Sequence, residues 1–263
     1  GEGGLRVAGE FFSRALTPAV DYEADFVPEG IEPLPIKAAR AALTTVVFAT
    51  AALSLSLVLG LVLGVIASSS LWSWGAPARP GLARRLRLGA AAPAIYGATR
   101  LLIALMRSVH ELLWAVLLLA AFGLNPLTAV LAIFIPYAGT LAKVFSEMLD
   151  EAPRDSAEAL RSIGASPLQV FAFGLLPRAL PDMIAYALYR FECALRSSAV
   201  LGFFGYPTLG YYIAASFENL HYGEVWTYLY TLLILVLAVD AWSGAVRRRL
   251  VAGEGAEAAA GAQ

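Results

Sequence analysis

The sequence predicts an all-α, polytopic membrane helix bundle with about five transmembrane helices. Three observations carry that expectation. The chain has 263 residues, 59% of them hydrophobic and only 15% charged, where soluble domains carry about 25% charged residues; mean hydropathy is +0.69. Residues 41–78 contain no charged side chain, and a helix needs about 20 apolar residues to cross a bilayer. Arginine clusters lie between and after the apolar runs, as expected at cytoplasmic ends.

The net charge of -1 gives no footing for nucleic acid. The single cysteine, Cys193, lies in an apolar run, which excludes a disulfide framework. The chain begins at Gly1 without a methionine and without a signal-peptide pattern, so a processed or incomplete start is expected.

In chain order, residues 1–40 read as an external N-terminal segment rich in acids. Phe11-Phe12 and Ala15-Leu16 suit one short amphipathic helix there, and Pro18, Pro28, Pro33 and Pro35 suggest extended chain after it. The membrane domain is expected over 41–246, with the first span at 41–67. Gly60 and Gly64 either form a face for close helix approach or reflect the general frequency of glycine in membrane helices. Arg79, Arg84, Arg85, Arg87 and Arg100 mark 79–100 as a cytoplasmic loop. A second span over 101–123 is read as one helix, although Arg107, His110 and Glu111 interrupt it. That turn must face other helices or water. His110-Glu111 begins a zincin-like pattern, but Trp114 stands where the second histidine is required, so a metalloprotease is rejected.

Gly123-Leu124-Asn125-Pro126 predicts a tight external turn, and the third span follows at 126–145. Pro136 should kink it, and Lys143 can reach for the cytoplasmic face. The fourth span, 181–201, holds Arg190, Glu192 and Arg196. Glu192 and Arg196 are four apart, in the favourable order for a helical pair. Residues 202–224 read as an external segment with Gly202, Gly205, Pro207 and Gly210 as turn points. The fifth span, 225–242, leads to Arg247-Arg248-Arg249 and a cytoplasmic tail, 247–263, whose end should be disordered.

The most polar interior stretch, 146–179, separates the third and fourth spans. Within it Glu158-Ala159-Leu160-Arg161-Ser162-Ile163-Gly164-Ala165-Ser166-Pro167 predicts two short helices with a turn. Gly164 suits the left-handed position that closes a helix. Ser166 can cap the next helix, with Pro167 in its first turn and Gln169 completing a Ser-x-x-Gln box. Pro177 and Pro181 should stop the pattern and open the following span.

That stretch resembles the cytoplasmic coupling loop of ABC importer permeases. The family pattern is Glu-Ala-Ala, three residues, Gly, nine residues, Ile-x-Leu-Pro. Glu158, Ala159, Gly164, Leu176 and Pro177 fall on it, while Leu160 replaces the second Ala and Gly174 replaces the Ile. Tyr189-Arg190-Phe191-Glu192, Arg196 to Gly202, and Arg107 to Trp114 with Ala121-Phe122-Gly123 resemble the phosphonate/phosphite-type branch. Gly205-Tyr206-Pro207-Thr208-Leu209-Gly210 departs from that branch's glycine-rich run at the external mouth. Members usually have one more N-terminal span.

The resemblance implies a type I importer permease fold in the bacterial cytoplasmic (inner) membrane. It implies a cytoplasmic ABC ATPase subunit gripping the coupling loop, a second permease copy in a homodimer, an extracytoplasmic substrate-binding protein, and surrounding membrane lipid. It implies ATPase coupling through Glu158, Ala159, Gly164, Ser166, Pro167, Leu176 and Pro177, and import of phosphonate, phosphite or a related phosphorus oxyanion. No cofactor is expected and no ATPase site either, since neither Lys37 nor Lys143 ends a Gly-x-x-x-x-Gly-Lys run.

Arg107, His110, Glu111, Glu192, Arg196 and Ser197 are candidates for a substrate path. Glu192 and Arg196 could equally be a buried structural pair, and Ser197 and Ser198 small residues that let helices pack. Tyr211 and Tyr212 read as an interfacial anchor or a gate. The competing functions are an ABC permease for another small solute, an ion-coupled carrier relaying through Glu111 and Glu192, and a membrane enzyme. The carrier gives the two-helix loop no role, and no nucleophile–base pair or metal spacing supports the enzyme.

Overall fold

The computed structural model describes the backbone of residues 2–24, 30–74 and 82–260. Among these the chain is helical and contains no strand. Backbone polar groups in lipid must be satisfied within the chain, and a helix does this for itself.

The N-terminal segment forms α1 (Glu2–Ser13), ending in a 3-10 turn at Arg14–Leu16. The chain then runs to α2 (Leu34–Ala67), which starts before the expected position 41. Pro33 and Pro35 do not hold this part extended. The Pro33 carbonyl accepts the N–H groups of Ile36 and Lys37 at 3.0 and 3.1 Å, and Pro35 sits in the first turn, where its missing donor costs nothing. Pro28 lies outside the described residues. A short helix, α3 (Ser69–Trp74), follows.

The arginine stretch is helix rather than loop: α4 runs Leu82–Ser108, and Arg84, Arg85 and Arg87 lie in it, while Arg79 lies outside the described residues. The expected single second span is broken. α4 ends at Ser108, whose hydroxyl closes onto the Leu105 carbonyl at 2.8 Å. α5 (Glu111–Phe122) starts afresh after Val109 and His110, and the path bends by 89°. Glu111 then sits in the first turn of a new helix, where a carboxylate suits the positive end of the dipole.

Gly123, at φ +73, turns the chain into α6 (Pro126–Glu151), longer than the expected third span. Asn125 caps it by accepting the Thr128 N–H at 2.9 Å. Pro136 lies within α6, and Lys143 pairs with Glu147 on the same helix. α7 (Asp155–Ser162), α8 (Pro167–Gln169) and a π-helical turn (Val170–Leu175) lead into α9 (Leu176–Val200). Pro177 and Pro181 do not stop the path: Pro177 lies in the first turn of α9 and Pro181 within it. Residues 202–224 are not merely turns, since a 3-10 turn (Leu201–Phe204) precedes α10 (Leu209–Glu218). α11 (Tyr222–Ala260) continues through the tail expected to be disordered. Among the described residues four helices are long and apolar enough to cross a membrane, or five if α4 and α5 count as one broken span.

The chain divides into two compact units. The first comprises Gly1–Ala52, Leu112–Ile133 and Phe191–Ser243. Leu34, Ala38, Ala41, Leu209 and Tyr228 form its apolar centre. Thr45 ties three elements of this unit: its hydroxyl donates to the Ala41 carbonyl at 2.8 Å and accepts the Leu209 N–H at 3.1 Å, and its carbonyl accepts the Ser198 hydroxyl at 2.8 Å. Tyr22 donates to the Glu32 carbonyl at 2.8 Å, and burial, with Glu224 and Glu32 nearby, pushes its phenol above the usual range.

The second unit comprises Leu53–Glu111, Phe134–Arg190 and Gly244–Gln263. Its apolar cluster joins Leu63 and Ala67 of α2, Ile103 and Met106 of α4, and Ala138 and Ala142 of α6. Gly60 and Gly64 do form a close-approach face. A Cβ on Gly60 would stand 2.8 Å from the Leu141 Cβ, and one on Gly64 3.0 Å from the Ala142 carbonyl oxygen and the Phe145 Cβ. Gly97 has nothing within 4 Å of an added Cβ. Gly64→Val should therefore destabilise the folded chain by about 1–3 kcal/mol through overpacking, seen as a lower unfolding temperature in detergent. Gly97→Ala should instead raise that temperature slightly, since alanine in an exposed helix interior is favoured over glycine by about 1 kcal/mol.

Candidate functional site

The predicted two-helix element is present, and local chemistry fixes its shape. α7 carries Asp155 and Glu158 in its first turn and Arg161 in its last, each sign at the end of the helix dipole that favours it. It closes with a Schellman pair: the Ala165 N–H bonds the Leu160 carbonyl at 3.1 Å and the Gly164 N–H bonds the Arg161 carbonyl at 3.0 Å. That geometry needs φ > 0 at Gly164, observed at +87°. Next comes a capping box. The Ser166 N–H donates to Gln169 Oε1 at 2.8 Å, and the Gln169 N–H points to Ser166 Oγ at 3.4 Å. Pro167 is the first residue of α8.

The π-helical turn that follows has a physical cause in Pro177. A proline has no N–H for the preceding turn, and its ring crowds the carbonyl four residues back. Widening the turn, with the Leu176 N–H reaching the Phe171 carbonyl, accommodates it. Val170, Phe171, Gly174 and Leu175 of this turn are buried, and it packs on α7. A Cβ at Gly174 would stand 2.9 Å from the Ala157 Cα. Arg178, at the start of α9, reaches back to the Ser156 hydroxyl at 3.2 Å through Nη2. Leu176 is half-buried at the head of α9, and Pro177 is exposed. Beside this crossing, Met148, Glu151, Arg178, Asp182 and Tyr186 line a cleft of about 530 Å³.

A second cap underlies the element. Asp150, at the end of α6, accepts the Ser68 hydroxyl at 2.6 Å, the Ser69 N–H at 3.0 Å and the Ser70 N–H at 2.9 Å. It thus covers orphan donors at the start of α3. Arg100 lies 3.8 Å from the same carboxylate and donates to the Ala67 carbonyl, at the end of α2, at 3.1 Å. α3 in turn packs on α8 and the π-helical turn. Sequence reasoning missed Asp150, because its partners lie some 80 positions away.

The faces of the element differ. Glu158, Ala159 and Arg161 are exposed, as are the large apolar side chains Ile163, Leu168 and Phe173, the last 72% exposed. The sequence signal for them was faint, an Ile beside the turn glycine and a Phe beside Gly174.

The substrate-path candidates fall in two groups. Arg107, His110 and Glu111 lie at the break between α4 and α5. Arg107 is exposed, with its Cγ 3.0 Å from where a Cβ on Gly139 would stand, and His110 Nε2 is 3.5 Å from Glu111. Glu192, Arg196 and Ser197 lie on α9. Glu192 and Arg196 are not a salt bridge. Buried Glu192 accepts the Ser243 hydroxyl, while exposed Arg196 reaches the Cys193 sulfur at 3.6 Å. Ser197 is buried, and its neighbour Ser198 joins α9 to α2 through the Thr45 carbonyl. Tyr212 stacks on Tyr228 at 5.5 Å and lies under the Lys37 ammonium at 4.9 Å, a packed position. Among the described residues no cluster of His, Cys, Asp or Glu could hold a metal ion.

Residues 88–252 match the family of binding-protein-dependent transport system inner membrane components. The chain belongs to that family. The phosphite transport system permease protein PtxC of Stutzerimonas stutzeri is 35% identical over 156 residues, 59% of this chain and 57% of the relative. The phosphate-import permease protein PhnE of Mycolicibacterium smegmatis is 27% identical over 234 residues, 89% of this chain and 41% of the relative. This permease-family chain thus spans between about two fifths and three fifths of those relatives' length. In the solved inward-facing MetNI methionine ABC transporter, one chain superposes with a TM-score of 0.66 at 22% identity, over 84% of this chain and 99% of that one. That likeness establishes the fold, a multi-pass helix bundle of the kind found in ABC permeases.

The close contact of Gly174 with Ala157 gives a direct test. Gly174→Leu has no room, so α7 should lift from the π-helical turn. A cysteine at Ala157, buried in the parent, should then react with a water-soluble maleimide several-fold faster. Gly174→Ala should produce a smaller change in the same direction.

Proposed function

We propose that this chain is the transmembrane permease subunit of an ATP-driven importer for a phosphorus oxyanion of the phosphite, phosphonate or phosphate class. The observation that carries the reading is the α7–turn–α8 element. Two interlocked caps hold it rigid, Ala157 and Gly174 press it against the π-helical turn, and it presents Glu158 and Arg161 beside Ile163, Leu168 and Phe173. A loop that merely joins two spans has no need of an apolar exposed face.

In this reading a cytoplasmic ABC ATPase grips that face. Its movement passes from α7 through the Ala157–Gly174 contact into the π-helical turn and so into α9. Glu158 and Ala159 belong to the gripping surface, Gly164, Ser166 and Pro167 hold the turn, and Leu176 and Pro177 start the responding span. A second copy of the chain completes the pathway, and an extracytoplasmic binding protein delivers the substrate. Exposed Arg107, with His110 and Glu111 close by in sequence in the second unit, and exposed Arg196 in the first each supply positive charge that attracts an oxyanion, while buried Ser197 packs within the first unit. Glu192, satisfied by Ser243, acts as a structural group. The phosphorus substrate is supported by the names of the relatives and by the arginines within the spans.

The N-terminal segment is external, and the α7–α8 element and the end of α11 are cytoplasmic. Cysteines placed at Arg85 and Ala252 should label only from the cytoplasmic side. External labelling at either would overturn this orientation.

Coupling has its own test. Glu158→Lys and Gly164→Asp should each abolish uptake and loosen the ATPase, while the chain still inserts at normal levels and the separate binding protein holds its substrate unchanged. Gly164→Asp also strains a φ > 0 position, at about 1–2 kcal/mol. Normal uptake by both variants at normal expression would remove the coupling assignment.

A further inference from the structure

The N-terminal helix has three faces, and only two are accounted for by protein and water. At about 100° per residue, Gly4, Ala8, Phe11 and Ala15 share one side. Phe11 packs its ring among Phe217, Tyr222 and Trp226, at centroid distances of 6.1, 5.6 and 5.1 Å. This side is fastened by backbone: the Trp226 Nε1–H donates to the Phe11 carbonyl at 2.7 Å, and the Tyr230 hydroxyl to the Ala15 carbonyl at 2.7 Å. The chain after the helix is fastened too, with the Thr227 hydroxyl on the Ala19 carbonyl at 2.6 Å and the Ala19 N–H on the Gly223 carbonyl at 3.1 Å. A second side carries Arg6, Glu10, Ser13 and Arg14, all exposed. The third, between them, carries Leu5, Phe12 and Leu16 in one stripe, and these are 77%, 64% and 90% exposed.

The stripe continues onto neighbouring structure. Val20 is exposed after it, Phe217 at the end of α10 touches the Phe11 ring, and exposed Leu220 follows three residues later. Leu220 is the one described non-glycine residue with positive φ, at +61°. It holds the left-handed place of a Schellman cap, its N–H on the Phe217 carbonyl at 3.1 Å and the His221 N–H on the Ser216 carbonyl at 2.9 Å. Glycine or asparagine adopts that place without strain. Leucine there strains the backbone and turns an apolar side chain outward.

We infer that α1 and the Leu220 corner form an interfacial lipid anchor: α1 lies in the plane of the bilayer surface, with Leu5, Phe12, Leu16 and Leu220 dipping among the acyl chains. Lipid is favoured as occupant because α1 is bolted to the first two turns of α11, whose segment Tyr222–Arg249 is long and apolar enough to cross a membrane and is little buried by the rest of the chain. Tyr222, Trp226 and Tyr230 there sit where aromatic residues mark the bilayer boundary. A helix fixed at that height meets the span on one side, acyl chains below and headgroups above, the arrangement of its three faces. Arg6 then faces lipid phosphates, while Arg14 lies 3.7 Å from the Glu23 carboxylate. The inference concerns anchoring and stands apart from the transport reading.

The test uses the full chain with Cys193→Ala, bearing a bimane label on one introduced cysteine and placed in phospholipid nanodiscs open on both faces. Labels at Phe12, Leu16 and Leu220 should be quenched by a lipid with a nitroxide near its headgroup, and be several-fold less open to aqueous iodide than labels at Arg6 and Glu10. Equal exposure of all five to iodide without nitroxide quenching overturns the anchor. Shielding of Phe12, Leu16 and Leu220 only on addition of the extracytoplasmic binding protein also overturns it, and makes the face a protein-docking surface. Loss of uptake in a Glu158 variant with unchanged quenching separates the two assignments.

Discussion

Helix ends are the costly points of a chain that lives in lipid, because each leaves four N–H or four C=O groups without an intrahelical partner. Three of the helix starts are closed by named side chains. Asn125 caps α6, Asp150 covers the start of α3, and Ser166 and Gln169 cap α8. Where no side chain serves, the backbone folds on itself in a Schellman pair, as at Gly164 and Leu220. Losing a side-chain cap of the first kind typically costs about 1 kcal/mol. The order of long and short helices is set by where such caps are affordable.

Asp150 and Arg100 illustrate how one ion pair can serve two helix ends of opposite polarity. The α2–α3 junction exposes carbonyls from one helix and N–H groups from the next. A guanidinium supplies the donor for Ala67 and a carboxylate supplies the acceptors for Ser68, Ser69 and Ser70. The 3.8 Å separation of the two charges keeps them mutually compensated. Since α3 packs on α8 and the π-helical turn, this junction forms a floor under the element that the proposed ATPase would grip. Stiffness there has a reason: a lever transmits displacement only if its mounting does not yield.

The chemistry of that element was legible because it is local. Gly164, Ser166, Pro167 and Gln169 act on neighbours within a few positions, so the sequence alone contains both partners of each bond. What failed to be legible is what depends on distant chain. The spacing of Glu192 and Arg196 sets only their reach, and Glu192 instead takes Ser243, 51 positions away. The break at Val109-His110 carries neither proline nor glycine, so the interruption by Arg107, His110 and Glu111 read as a polar turn of one helix and not as a helix end. Pro33 and Pro35 were misread for the opposite reason: a proline that interrupts a helix interior is harmless in a first turn. The match of Gly174 to Ala157 required the crossing of α7 over the π-helical turn, which no local pattern states.

Exposed apolar side chains mean different things on different elements. On α2 and α11 they lie on segments long and apolar enough to cross a membrane. On α7–α8, Ile163, Leu168 and Phe173 stand beside Glu158 and Arg161, and a surface that mixes both is suited to a protein partner, whose own charges can answer them. On α1, Leu5, Phe12 and Leu16 form an unmixed stripe, with the charges of Arg6, Glu10 and Arg14 gathered on a separate side. Segregation of that kind suits a boundary between two solvents, not a protein surface of interleaved character. The same residue types therefore suit a protein partner at one element and lipid at the other, and the arrangement of charge around them makes the difference.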